Sequence, residues 1–263
     1  MVRKMMVLVL VAALFLVAGG VVAAALMDED GIKVSNESPL FQERVAGGEL
    51  PPVEERMPLT EDIMVQQPYA EIGEYGGVWR QVWRGMDDKW RVGNDTVEML
   101  FNFRQDGKGI EPNVAKGYDV NEDSTEFTIY LREGMRWSDG EPFTTDDVLF
   151  YWEHMLLEET FGKNLYDCYY SVNPETGEKA VAEVERVDDY TVKVIHKYPS
   201  PLFIERLLID NKWFFAPAHF YKEILPEFVG EEEALKKANE YGFNDLSGFG
   251  KWTGYYYWIW PER

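Results

Sequence analysis

The chain has 263 residues, 46% of them apolar and 28% charged, with 47 acidic side chains against 26 Lys and Arg and a formal net charge of −21. That is the composition of a folded globular protein, and so negative a surface repels phosphate backbones, which argues against a nucleic-acid partner. The single cysteine, Cys168, excludes an intrachain disulfide framework and a cysteine-built zinc cluster.

At the start, Arg3 and Lys4 precede an uncharged run to Leu26, with Ala23-Ala24-Ala25 as a small-residue site. A basic region, an apolar run and small residues before a cut predict an export signal over residues 1–25. An uncleaved membrane anchor is the alternative for the same run. Residues 26–75 carry Gly47-Gly48, Pro51-Pro52, Pro58 and Pro68 among scattered acids. They are expected to form an extended lead-in with a short helix near Pro39–Ala46. Ordered structure is expected from Gly76-Gly77 onward, with a strand at Val78–Trp83.

Two hairpins follow. Lys116–Val120 and Glu126–Leu131 flank Asn121-Glu122-Asp123-Ser124, and Phe127, Ile129 and Leu131 alternate with Thr128 and Tyr130. Ala182–Val187 and Tyr190–Ile195 flank Asp188-Asp189, with Val192 and Val194 on the face of Tyr190. A lone hairpin is marginal, so these strands are expected to join a larger sheet or pack on helices.

Between the hairpins lies a strong helix start. With Thr144 as N-cap, Asp147 falls at N3 and reaches back to the cap amide, while Phe143 and Val148 form a hydrophobic staple. The helix is expected to run through Val148, Tyr151, Trp152, Met155 and Leu156 as one apolar stripe. Asp146 and Asp147 thus have a structural role and no catalytic one. Further helices are expected at Pro201–Leu208, Phe220–Leu225 and Glu231–Tyr241. The last has Ala234, Leu235, Ala238 and Tyr241 inward and Gly242 at its C-terminal cap. Mixed strands and helices predict a mixed α/β or α+β fold.

Chemistry-bearing motifs are mostly missing. No glycine-rich phosphate loop lies between a strand and a helix. His154, His196 and His219 form no i,i+4 pair and are expected at the surface or in local hydrogen bonds, so neither metal nor other cofactor is expected. Ser200 and Ser247 lack a nucleophile elbow, and Cys168, among Tyr166, Asp167, Tyr169 and Tyr170, has no identifiable base. A glycosidase would need two carboxylates facing a sugar, and the sequence singles out no pair. What remains is aromatic content of 15%. Trp79, Trp83 and Trp90 crowd one segment and Trp213-Phe214-Phe215 another. Such side chains suit peptide or sugar recognition, but for any single one a place in a tryptophan-rich core is the commoner outcome.

The run from Phe127 through Leu131-Arg132-Glu133-Gly134-Met135-Arg136-Trp137-Ser138-Asp139-Gly140-Glu141-Pro142-Phe143-Thr144-Thr145-Asp146-Asp147-Val148 resembles the family 5 extracellular solute-binding proteins of ABC importers. This is the dipeptide, oligopeptide and nickel group. Tyr75–Arg80, Glu111–Ala115, Val187–Val192 and the Pro217-x-His219-Phe220 passage resemble other family segments in the same order. The acidic lead-in and Ala238–Phe243 resemble a longer subgroup, some of whose members bind oligosaccharides. The likeness covers residues 69–250.

Within that stretch Gly134, Asp139, Gly140, Pro142, Thr144 and Asp147 are structural: two glycine turns, a side-chain-closed turn and a helix start. They identify the fold without marking a pocket. The resemblance implies a type II periplasmic-binding lobe, with residues 76–263 as the first part of lobe one and the second lobe lacking. The apolar run Gly254–Trp260 then reads either as a strand awaiting partners or as residues read after an interruption of the gene. It further implies a non-enzymatic, exported, monomeric protein at the periplasmic or extracellular face of the cytoplasmic membrane. Such a protein would capture an oligopeptide or oligosaccharide and deliver it to an ABC permease. Side-chain type and strand-end position make Trp79, Arg80, Trp83 and Trp213 the candidate ligand contacts. A secreted hydrolase or a structural or adhesion fragment is the alternative.

Overall fold

The computed structural model describes residues 27–28, 31–32, 37–65, 76–78, 80, 98–156, 166–209 and 214–249. The export signal over 1–25, the run Gly254–Trp260, and Trp79, Trp83, Trp90 and Trp213 lie outside the described residues. The chain divides into two compact units, Met1–Gly76 and Gly77–Arg263.

In the first unit, Met27–Asp28 (β1) pairs antiparallel with Gly31–Ile32 (β2). The expected helix near Pro39–Ala46 is Gln42–Ala46 (α1). The remainder of the lead-in is less extended than its prolines suggest. Val53–Arg56 forms a second turn of helix (α2) behind Pro52, with Glu54 and Glu55 in its first turn, and Thr60–Asp62 forms a 3₁₀ turn. Arg56 closes α2 on itself: its Nε donates to the Pro51 carbonyl at 3.0 Å and its guanidinium pairs with Glu37.

The second unit is built on a four-stranded antiparallel sheet. After the short ribbon of Phe101–Phe103 (β3) and Ile110–Pro112 (β4), Ala115–Val120 (β5) and Glu126–Leu131 (β6) form the first hairpin, as expected. Its turn is held by side chains. Asn121 Oδ1 accepts from the amides of Thr125 and Glu126 at 2.9 Å each, which holds Ser124 in the left-handed region at φ 57°.

The helix Thr145–Phe150 (α3) follows, and then the strands Tyr170–Val172 (β7) paired with Lys179–Val181 (β8), and Glu183–Asp188 (β9) paired with Thr191–Ile195 (β10). The sheet order is β5-β6-β10-β9. The second hairpin lies one residue later than expected. Its register shifts between Thr191 and Val192, and Asp189-Tyr190 takes the turn while Asp188 ends β9.

Alternation fixes the sheet's buried face: Phe127, Ile129, Leu131, Val192 and Val194 are all within 2% of complete burial. Each such side chain contributes about 1.5–3 kcal/mol. Phe203–Ile209 (α4) covers this face through Phe203, Ile204 and Leu207, and α3 does so through Val148 and Phe150. The stripe predicted for α3 is buried throughout, but the helix does not stay α-helical. Tyr151–Met155 opens into a π-helical turn, closed by the Leu156 amide on the Tyr151 carbonyl at 2.8 Å. The wider turn lets both Tyr151 and Trp152 face inward.

The chain ends its described course with Ala218–Lys222 (α5), Pro226–Val229 (α6) and Glu231–Glu240 (α7). The helix expected at Phe220–Leu225 starts two residues earlier, for a reason that lies in the site below. In α7, Gly242 at φ 84° makes the predicted cap, its amide bonding to Asn239 and that of Phe243 to Ala238. The inward face is narrower than expected. Ala234 and Ala238 are fully buried, whereas Leu235 and Tyr241 are exposed at 38% and 44%. Two alanines let the helix approach closely on one line, and Leu235, a hundred degrees around, is left outside. Val78 and Arg80 are exposed and lie in no strand; Trp79 and Gln81–Trp83 of that expected strand fall outside the described residues.

Candidate functional site

The resemblance-bearing stretch forms one polar joint at the turn end of the sheet. After Leu131 the chain enters a loop with Arg132 buried and donating from Nε to the Asn113 carbonyl at 2.6 Å. Gly134 and Gly140 sit at φ 82° and 96°, where a side chain would be strained. Asp139 Oδ1 accepts the Glu141 amide at 3.2 Å, closing the second turn as predicted. Pro142 bridges to Arg136, and the Phe143 amide returns to the Met135 carbonyl at 2.9 Å.

The predicted capping box is present. Thr144 Oγ1 accepts the Asp146 amide at 3.2 Å, and Asp147 Oδ2 accepts the Thr144 amide at 3.0 Å. Asp147 does more than cap. Its Oδ1 accepts the Ala218 amide at 2.9 Å and its carbonyl accepts the Ala216 amide at 3.0 Å. That grip on a segment 71 residues away starts α5 at Ala218. Thr145 fastens the joint to the second hairpin: its amide donates to Asp189 O at 3.0 Å and its hydroxyl to Asp188 O at 2.9 Å. His219 Nε2 lies 2.8 Å from Asp139 Oδ2, a second tie between the same two stretches.

Electrostatics follow from this packing. Burial pushes the Asp147 carboxyl above its ordinary range, opposed by the Ala218 and Thr144 amides, the Trp137 indole and His219. Burial also pushes Asp139 upward, but the His219 hydrogen bond, the Glu141 amide and the His219 charge together hold it below the usual carboxylate value. Asp146 pairs with Arg186. Asp139, Asp146 and Asp147 therefore each have a structural partner. Among the described residues no group of three or more His, Cys, Asp or Glu side chains is placed to hold a metal ion.

The described aromatic side chains go mainly into the core. Trp137 meets Phe143 and Phe215 edge-on at 5.5 and 6.0 Å. Trp152 meets Tyr169 and Phe214 at 5.7 and 5.6 Å. Tyr151 and Tyr169 share a hydroxyl contact at 3.2 Å, and burial pushes both phenols well up. Cys168 is buried in the core. Of the proposed ligand contacts, Arg80 is exposed in irregular backbone, and Trp79, Trp83 and Trp213 are not among the described residues.

Two histidines behave as expected: His154 Nδ1 lies 2.8 Å from Glu227, and His219 bonds Asp139. His196 does not. It is 2% exposed with neither ring nitrogen hydrogen-bonded, because the strand end that carries it is roofed by α4. The long-range ties Asp147–Ala218 and Asp139–His219 were missed by sequence reasoning; the only signal available was the Pro217-x-His219 passage.

The model of the bacterial extracellular solute-binding proteins, family 5 Middle, matches residues 109–254. The periplasmic alpha-galactoside-binding protein of Rhizobium meliloti is 30% identical over 204 residues, covering 71% of this chain and 29% of that protein. The oligopeptide-binding protein OppA of Bacillus subtilis is 28% identical over 151 residues, 56% of this chain and 25% of that one. Among solved structures, an oligopeptide-binding protein OppA superposes with a TM-score of 0.73 at 31% identity, covering 84% of this chain and 33% of that chain. The periplasmic binding protein MelB of Agrobacterium fabrum, in complex with stachyose, gives 0.54 at 25% identity over the same shares. The chain thus spans about a third or less of the length of these relatives.

Proposed function

The chain belongs to the bacterial extracellular solute-binding proteins of family 5, and from that premise we propose that it serves as the substrate-binding part of an ABC importer, with an oligosaccharide of the α-galactoside class as its solute. The role is one of binding and not of catalysis, in keeping with carboxylates that are spent on a helix cap, a turn and ion pairs. The observation that carries the solute class is the alpha-galactoside-binding relative, whose likeness extends over 71% of this chain. A structure holding stachyose supports the same choice. An oligopeptide is the second reading, favoured by the TM-score of 0.73 to an oligopeptide-binding protein.

In this proposal residues 1–25 direct export, residues 26–75 lead in, and residues 76–263 form part of lobe one. The protein works as a monomer outside the cytoplasmic membrane and hands its solute to a permease. Trp79, Arg80, Trp83 and Trp213 remain the proposed contacts, since flat indoles stack on sugar faces and a guanidinium donates to hydroxyls. Solute-binding lobes close over a ligand by hinge motion, so residues 76–263 supply part of the contacts.

Isothermal calorimetry on the exported 263-residue chain tests this directly. Stachyose and raffinose are expected to give saturable heat where di- to pentapeptides give none. The reverse pattern assigns a peptide. A folded sample with no heat from either class refutes solute capture by this chain.

A further inference from the structure

At the end of the sheet opposite the polar joint, an imidazole is buried that no contact above employs. His196 follows β10 directly, and its backbone is fixed by its amide donating to the Thr125 carbonyl at 2.7 Å. The ring is wedged edge-on between Phe127 of β6, with centroids 5.8 Å apart, and Phe203 of α4, at 4.8 Å. The two phenyl rings themselves meet at 4.9 Å. Neither Nδ1 nor Nε2 has a hydrogen-bond partner. A neutral imidazole in such a seat leaves one donor and one acceptor unmet, whereas an imidazolium brings a charge and two donors into apolar surroundings.

The charged groups around it give no relief. Arg206 of α4 adds a repelling positive field. Glu126 of β6 is engaged with Lys193 of β10 at 3.2 Å, and Lys197, the next residue, with Glu178 at 2.8 Å. Glu205 of α4 acts on Tyr118 of β5, and Asp123 in the first hairpin's turn accepts from Thr125. Among the described residues no carboxylate reaches either ring nitrogen.

We propose that His196 is an acid-released latch: once protonated it leaves its place between Phe127 and Phe203, and α4 comes away from the end of β6 and β10. Burial, with Arg206 adding to it, pushes the imidazole down to about 4 from 6.5. Between those two values the open form takes up a proton that the closed form refuses, so opening gains as pH falls. Above the higher value the ring is neutral in both forms and the latch is shut. The opening constant is expected to rise about 20-fold from pH 7 to pH 5 and to approach roughly 200-fold at pH 3. The latch rests on no assignment of solute and stands or falls separately from it.

Hydrogen exchange on the whole chain, with rates corrected for the intrinsic pH dependence, provides the test. In the wild type the α4 amides are expected to open about 20-fold more at pH 5 than at pH 7. In His196→Phe, which keeps an apolar ring in the seat, opening is expected to stay level. Arg206→Gln, which removes the repelling charge, is expected to weaken the response. Equal acid response in wild type and His196→Phe overturns the latch. So does a proton NMR titration of the wild-type ring with its midpoint near 6.5, and that measurement decides alone if His196→Phe does not fold.

Discussion

The two ends of the small sheet are joined to their helices in opposite ways. At the turn end, the loop leaving β6 and the turn entering β10 meet α3 and α5 through polar groups that satisfy one another: Thr144 with Asp146, Asp147 with Thr144 and Ala218, Thr145 with Asp188 and Asp189, Asp139 with His219. At the far end, β6 and the residue after β10 meet α4 through Phe127, His196 and Phe203, with ring edges against ring faces and two unmet nitrogens. Hydrogen bonds specify geometry, and leaving one half of a buried pair unmade is costly; aromatic packing supplies more area but tolerates repacking. The polar end therefore sets where the segments meet, and the apolar end sets how firmly the helix stays down.

The largest effect that this contrast predicts is at the apolar end. Phe203→Ala removes a fully buried ring and is expected to cost about 3–5 kcal/mol in urea unfolding. By admitting water beside His196 it should also flatten the acid response of the α4 amides. At the polar end, Asp147→Ala strands the Thr144 and Ala218 amides and is expected to cost about 3 kcal/mol, with α5 losing exchange protection first. If Asp147→Ala proved the more damaging of the two, or if its effect stayed local to α3, the division between specifying and holding would fail.

The two ends also differ in how far they could be read from sequence. The polar joint announces itself locally. Thr144 and Asp147 have the spacing of a capping box, Gly134 and Gly140 mark turns, and Asp139 sits where its side chain closes one. Alternation likewise exposed β6 and β10, because burial of one face imposes a period of two. What the spacing did not contain was the partner. Nothing near Asp147 pointed to Ala218, and this tie moved the start of α5.

The π-helical turn at Tyr151–Met155 and the register shift at Thr191 arise from fitting bulky neighbours together, which no local pattern records. His196 carried no mark beyond its place at a strand end. The proposed contacts rest on side-chain type and strand-end position: Arg80 is exposed, and Trp79, Trp83 and Trp213 lie outside the described residues. Type alone says little about position, since Trp137 and Trp152 pack on the core.

Two smaller effects sharpen the polar end. Thr145→Val keeps the shape of a fully buried side chain and removes only the bond to Asp188 O. A loss of about 1 kcal/mol is expected, because that carbonyl is then left without its side-chain donor. Urea midpoints at pH 7 read it directly, and a neutral result would mean that the Thr145 amide alone holds the second hairpin's turn.

The Asp139–His219 tie is the weakest link, since both side chains are about a quarter exposed. Its signature is in its pH dependence. Because the folded carboxyl lies below its open-chain value of 3.8, the contribution is complete above that value and is lost as pH falls through the lower folded one. Asp139→Asn is therefore expected to cost about 1 kcal/mol at pH 6 and progressively less against wild type below pH 4. His196 acts with the opposite chemistry but in the same direction, losing stability between 6.5 and about 4. The two windows adjoin without coinciding, so unfolding curves at pH 7, 5 and 3 separate them. In Asp139→Asn the step from 7 to 5 should survive while the step from 5 to 3 shrinks. In His196→Phe the first step should vanish and the Asp139 contribution below 3.8 should remain.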